Sequence, residues 1–325
     1  MLHTRLTDRF GLEHPIILAP MGFVAGGRLA AAVSKAGGLG LVGGGYGDED
    51  WLLEQFAAAD GQRIGCGFIT WSLTKQPRLL EIALERAPAA LFLSFGDPEP
   101  FAARIREAGV PLICQIQTVA GAKRAIEVGA DIVVAQGAEA GGHSEKRGTF
   151  TLVPEVADLI AALAPETLLC AAGGVGDGRG LAAALCLGAD GVVVGTRFWA
   201  SDEALMHPNL QAAAVEASGD ETLRSRVIDI LRGHDDWPER YEVRTLRSAA
   251  TDRWHGKESA LRATVEPEAT RYADAAARGD ARNVSPIVGE AIGLIHSVAP
   301  AGAILGTMVR QAEDILREAP VSISA

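Results

Sequence analysis

One histidine in this chain stands where it can move a proton. His143 closes the stretch Gln136-Gly-Ala-Glu-Ala-Gly-Gly-His143, directly after the apolar, β-branched run 130–135 that reads as a buried strand. Gly137, Gly141 and Gly142 remove bulk there, so the backbone can approach a flat ligand, and the imidazole that follows titrates near neutral pH. The other histidines fall elsewhere: His3, His14, His207, His234 and His255 lie in a terminus, in turns or in a charged segment and read as structural, and His296 is a secondary candidate.

Two further stretches suit an anion. Ala171-Ala-Gly-Gly-Val-Gly-Asp-Gly178 offers the amides of Gly173 and Gly174; Val193-Val-Gly-Thr-Arg-Phe198 offers those around Val193, Val194 and Gly195 together with the Thr196 hydroxyl. Exposed N–H groups at a helix start, with no side chain in the way, match a phosphate dianion. Leu18-Ala-Pro-Met-Gly22 adds Pro20, Met21 and Gly22, the methionine sulfur being a good neighbour for an aromatic ring. Gln115 and Gln136 are amides placed where apolar runs would otherwise continue, so their carboxamides can meet the polar edge of a heterocycle or cap nearby backbone.

Positioning these groups requires a repeated unit, and the punctuation shows one. Lys35-Ala-Gly-Gly-Leu39, Glu107-Ala-Gly-Val-Pro111, Glu127-Val-Gly-Ala-Asp131 and Cys186-Leu-Gly-Ala-Asp190 each separate an Ala-rich helical pattern from an apolar run. Each reads as a helix ending on a left-handed glycine and followed at once by a buried strand. Strands are expected at 16–19, 39–42, 64–68, 90–94, 111–115, 131–135, 168–171 and 191–194. The intervening helices fall at 28–36, 49–58, 78–85, 98–108, 119–128, 153–163 and 178–187. Eight buried strands alternating with helices predict a closed (β/α)8 TIM barrel, whose functional face lies at the carboxyl ends of the strands and whose phosphate sites follow strands seven and eight. The glycine-rich loops named above fall at those two ends.

The barrel is expected to occupy 1–218 and 286–325. Residues 219–285, charged and carrying Trp237, Tyr241, Trp254 and Tyr272, show no strand-like run and read as a helical insertion packed over one end. Gly38-Leu-Gly-Leu-Val-Gly43 matches the dinucleotide fingerprint in letters, but a helix precedes it and a strand forms inside it, the reverse of the required context.

Composition narrows the class. A net charge of −11 argues against a nucleic-acid-binding surface. No run approaches the roughly 20 apolar residues of a membrane span, and the first residues show no signal-peptide core, so a cytoplasmic protein is expected. Cys66, Cys114, Cys170 and Cys186 are widely spaced and read as buried free thiols. No metal-ligand spacing and no Gly-x-Ser-x-Gly elbow occurs.

Taken together, Pro15-Ile-Ile-Leu-Ala-Pro-Met-Gly22, Gln136-Gly-Ala-Glu-Ala-Gly-Gly-His143, Ala172-Gly-Gly-Val-Gly-Asp-Gly-Arg-Gly180 and Gly195-Thr-Arg-Phe198 resemble the nitronate monooxygenase family, formerly 2-nitropropane dioxygenases. The resemblance implies a TIM barrel with a helical second domain, non-covalent FMN, and oxidation of alkyl nitronates or nitroalkanes by O2 to carbonyl compounds and nitrite. It places FMN against Met21, Gly22, Gln136, Gly141, Gly174 and residues 193–196, with His143 as the active-site base. Many members carry an asparagine at the third strand end, where this chain has Cys66-Gly67-Phe68, so Gly67 offers only backbone to the flavin. The family's relatives leave an NAD(P)H-dependent quinone or enoyl reductase as the alternative. A barrel that binds a phosphorylated ligand without catalysis is a third reading. The sequence leaves the oligomeric state open.

Overall fold

The computed structural model describes residues 2–318. Eight parallel strands form one sheet: β1 (Ile16–Leu18), β2 (Leu41–Gly43), β3 (Gly65–Ile69), β4 (Leu91–Ser94), β5 (Leu112–Ile116), β6 (Ile132–Gln136), then β8 (Leu168–Ala172) and β9 (Gly191–Val194). Between β6 and β8 the chain makes the short strand β7 (Gly142–Ser144), which belongs to a different sheet. β1 pairs with β9, and the barrel closes where Leu39 N–H donates to Ile16 O at 3.0 Å and Leu18 N–H to Leu39 O at 2.9 Å. The structure is thus the expected TIM barrel.

The joints form as their sequences require. Gly37, Gly109, Gly129 and Gly188 all have positive φ, from 68° to 95°, and each ends a helix immediately before a strand. Strand alternation then sorts the apolar side chains into two layers. Ile17, Leu41, Phe92, Ile113, Ile132, Val134, Cys170 and Val193 fill the barrel interior with Leu6 of the N-terminal helix Arg5–Phe10. Ile16, Leu18, Val42, Val133, Val192 and Val194 face the surrounding helices. Leu41–Gly43 is indeed a strand within the false dinucleotide fingerprint, with helix Gly27–Lys35 before it.

Residues 219–285 depart from expectation. They are not purely helical: β10 (Thr222–Ser225) and β11 (Glu242–Leu246) form an antiparallel pair, and β11 also pairs with β7 in the register Val243 to His143. Short helices Val227–Leu231, Ala249–Trp254, Glu258–Ala263 and Val265–Ala277 accompany them. The strands escaped notice because Arg224 and Arg244 interrupt their apolar content and because β7 lies far away in the chain. A second apolar core, distinct from the barrel's, joins Trp199 and Leu210 to Val227, Ile230, Val243, Leu261, Val288 and Ile292. The chain returns through residues 285–300 to helix Ala301–Arg317, which packs on helices Gly178–Cys186 and Gly27–Lys35.

Of the four cysteines, Cys66, Cys114 and Cys170 are buried free thiols in strands; Cys186, at the end of its helix, is exposed, against expectation. No helix among the described residues is long and apolar enough to cross a membrane.

Candidate active site

The carboxyl ends of the barrel strands open into a cavity enclosing about 1290 Å³ of empty space, its mouth included. Pro20, Met21, Gly22, Gly67, Gln115, Gln136, Gly141, Gly142, His143, Gly173, Gly174, Val193, Gly195 and Thr196 all line it. Val194 does not. The two-residue period of β9 turns Val193 inward and Val194 out into the helix-facing core, and the Val194 carbonyl is taken by Ala19 N–H at 2.9 Å. His296, the secondary candidate, is exposed and outside the lining.

The floor is backbone and amide. A Cβ at Gly67 would lie 2.4 Å from the Pro20 ring, so only glycine lets β3 and the end of β1 approach this closely. Gln136 Oε1 accepts from Gln117 Nε2 at 2.7 Å and Gln115 Nε2 at 3.1 Å. With its oxygen doubly engaged, Gln136 keeps its own N–H donors for whatever occupies the cavity. Gln117 was not anticipated; its place just beyond β5 gave no periodic signal.

The far wall carries the glycine loops and the hydroxyl that were expected to suit an anion. Gly173 and Gly174, both at positive φ, follow β8, and Gly195-Thr196 follow β9. Thr196 Oγ1 accepts from Gly289 N–H at 2.9 Å, which leaves its proton to donate. Gly289 and Glu290 belong to the returning segment, and Glu290 N–H donates to Glu139 O at 2.9 Å. That segment therefore clamps the loop after β6 against the loop after β9.

His143 faces this cavity from β7, held by residues of 219–285. Its Nε2 lies 3.0 and 3.1 Å from the two carboxylate oxygens of Asp229, which sits 4% exposed in helix Val227–Leu231. A carboxylate accepts, so Nε2 carries the proton, and Nδ1 is left as the unprotonated, basic nitrogen. Trp237 stacks on the imidazole, centroids 3.4 Å apart and planes 9° from parallel, and Phe95 meets it edge-on at 6.1 Å. Burial drives the His143 pKa below its ordinary value; Asp229 pulls upward, while Arg226 and Arg232 add to the depression. The imidazole is thus neutral at neutral pH, oriented, and basic toward the cavity.

Trp237 is itself fixed, its Nε1 donating to the Tyr46 hydroxyl at 2.8 Å. Burial pushes the Tyr46 phenol up to about 12, so it stays protonated. Tyr46 also stacks on His234, a structural contact. Asp229, Trp237, Tyr46 and Phe95 were not foreseen as site residues. One signal for Asp229 was present: a lone carboxylate inside Val227-Ile-Asp-Ile-Leu231 must be buried, and a buried charge needs a partner. Among the described residues no group of three or more His, Cys, Asp or Glu side chains could hold a metal ion.

Comparison with known proteins places this geometry. The family model for nitronate monooxygenase matches residues 3–62 and 68–311. A nitronate monooxygenase of Neurospora crassa is 34% identical, over 94% of this chain and 91% of that one. Among solved structures, FabK from Thermotoga maritima superposes with a TM-score of 0.82 at 29% identity, covering 98% of this chain and 99% of its own. A nitroalkane oxidase from Streptomyces ansochromogenes superposes with a TM-score of 0.80 over 98% and 100% of the two chains; at 24% identity that likeness speaks for the fold alone.

Proposed function

The chain belongs to the nitronate monooxygenase family and is an oxidoreductase, and from that premise we propose that it uses FMN to oxidise alkyl nitronates and nitroalkanes with O2, giving carbonyl compounds and nitrite. The observation that carries the reading is the His143–Asp229 pair at 3.0 Å, set on the wall of a cavity whose floor is glycine backbone and free amide.

The cavity fits FMN on its own chemistry. The amides of Gly173, Gly174 and Gly195 and the Thr196 hydroxyl suit a phosphate dianion. Gly67 and Gly141 permit the close backbone approach that shapes the cavity: a Cβ at Gly67 would meet the Pro20 ring, and one at Gly141 would sit 2.5 Å from Gly289 N. Gln136 Nε2 remains to donate to a carbonyl or ring nitrogen. When bound, FMN would supply the electron chemistry.

The protein's share is proton placement and exclusion of water. His143 Nδ1 removes the proton on the carbon bearing the nitro group, and the resulting imidazolium is held against Asp229 through Nε2. Phe95 and Trp237 cover that imidazole with aromatic surface, and Tyr241 packs against both of them, which limits water around the charge pair. With a preformed nitronate no proton abstraction is needed; the bound anion instead favours protonation of His143, and the imidazolium stabilises it. The depressed pKa keeps the neutral base available below the usual histidine range, so the acid limb of nitroalkane turnover should lie below that range too. The same reading puts the enzyme in the cytoplasm with small-molecule substrates.

A second reading, an NAD(P)H-dependent reductase on the same cofactor, is favoured by one feature. Arg232 lines the cavity, is exposed, and has no ion pair among the described residues, which suits an anionic nucleotide. Anaerobic mixing separates the two. Propyl nitronate should bleach the flavin absorbance within the turnover time while NADH leaves it unchanged; bleaching by NADH alone would favour the reductase.

A further inference from the structure

A second cavity of about 790 Å³ lies behind the first, at the ends of β4 and β5. Phe95 and Gln115 are the residues common to both linings, so they form the wall between the two spaces. The lining of the second cavity is mixed: Leu93, Cys114, Ile116 and Ala125 are apolar, Gln117, Thr118 and Arg124 are polar, and Arg240 and Glu145 lie 3.6 Å apart. The wall is held under strain. Phe95 has a φ of 63°, a conformation that costs a bulky side chain on the order of 1–3 kcal/mol. Its ring is fixed by edge contacts to Trp237 at 5.1 Å, Tyr241 at 5.3 Å and His143 at 6.1 Å. A strained aromatic side chain beside the base, with open space behind it that Leu93, Ile116 and Ala125 line in part, limits how far a substrate can extend from the reacting carbon.

We propose that Phe95 determines substrate chain length: its ring ends the space beside His143, and the cavity behind it receives the distal part of a longer straight alkyl chain once the ring is removed. This rests on the reading that the reacting carbon sits beside His143, and it adds which alkyl chains reach that position.

Straight-chain carboxylates from propanoate to octanoate, non-reacting mimics of nitronates of matching length, test it by titration calorimetry on the full chain supplemented with FMN. In the wild type, affinity should rise with the first methylenes and then level off. In Phe95→Ala, and in Phe95→Gly, which also relieves the backbone, it should keep rising by about fourfold for each added methylene. Identical length dependence in wild type and both variants, or no carboxylate binding to any of them, would overturn the proposal. A wild type that shows the plateau yet does not oxidise nitronates would strike the reaction assigned to the site and leave the wall intact.

Discussion

The two halves of the site are built from different material. The barrel rim supplies glycines, amides and hydroxyls, almost without charge, and these groups are held by strand ends and by the clamp at Gly289. Residues 219–285 supply a carboxylate and aromatic rings, and they act on a single imidazole. The first half suits holding a cofactor, and the second suits setting the protonation state and orientation of a base. His143 lies at the seam, on a strand that follows β6 in sequence but pairs with β11 in space. Binding and proton chemistry should therefore be separable by mutation.

The largest separation should come from the rim. Gly174 has φ +76° and its nearest neighbour to an added Cβ is 3.8 Å away, so a side chain fits at a backbone cost of about 1 kcal/mol. Gly174→Asp would set a carboxylate in the anion cradle and should weaken FMN binding by roughly a hundredfold or more. Flavin retained on gel filtration at wild-type stoichiometry would contradict that division.

Asp229→Asn tests the other half. It keeps a hydrogen-bond acceptor for Nε2 but removes the charge that stabilises the imidazolium. Flavin content should be unchanged, nitroalkane kcat should fall by roughly 10- to 100-fold, and the acid limb should move to still lower pH because the partner that raises the His143 pKa is lost. An acid limb displaced upward would show that Asp229 does not act through His143.

Thr196→Val is expected to have the smallest effect. It removes a hydroxyl donor to the phosphate and leaves Gly289 N–H without its acceptor, so the FMN Kd should rise by about tenfold with kcat on bound cofactor nearly unchanged. A fall in kcat without a change in Kd would blur the boundary between the two halves.

That boundary also marks what was legible in the sequence. Local signals gave the barrel: several strands begin just after a left-handed glycine, among them Gly37, Gly109, Gly129 and Gly188, a pattern contained in five residues. The rim residues followed, because strand ends are where a barrel presents them. Val194 was misplaced because a run of valines hides the alternation of its strand. The Asp229 partnership spans 86 residues, and β7 finds β11 across 98 or more, so no window contained either. Residues 222–225 and 242–246 carry arginines on a half-exposed surface, which masks strand character in a single sequence.

The most direct measurement of the central claim uses His143→Asn, mixed anaerobically first with neutral nitroethane and then with preformed ethyl nitronate, while the flavin absorbance is followed. Nδ1 acting as the base predicts that the variant keeps its flavin, is bleached by nitroethane about 10² to 10⁴ times more slowly than the wild type, and loses far less with the nitronate. Wild-type bleaching by nitroethane would contradict it and leave the His143–Asp229 pair a structural contact.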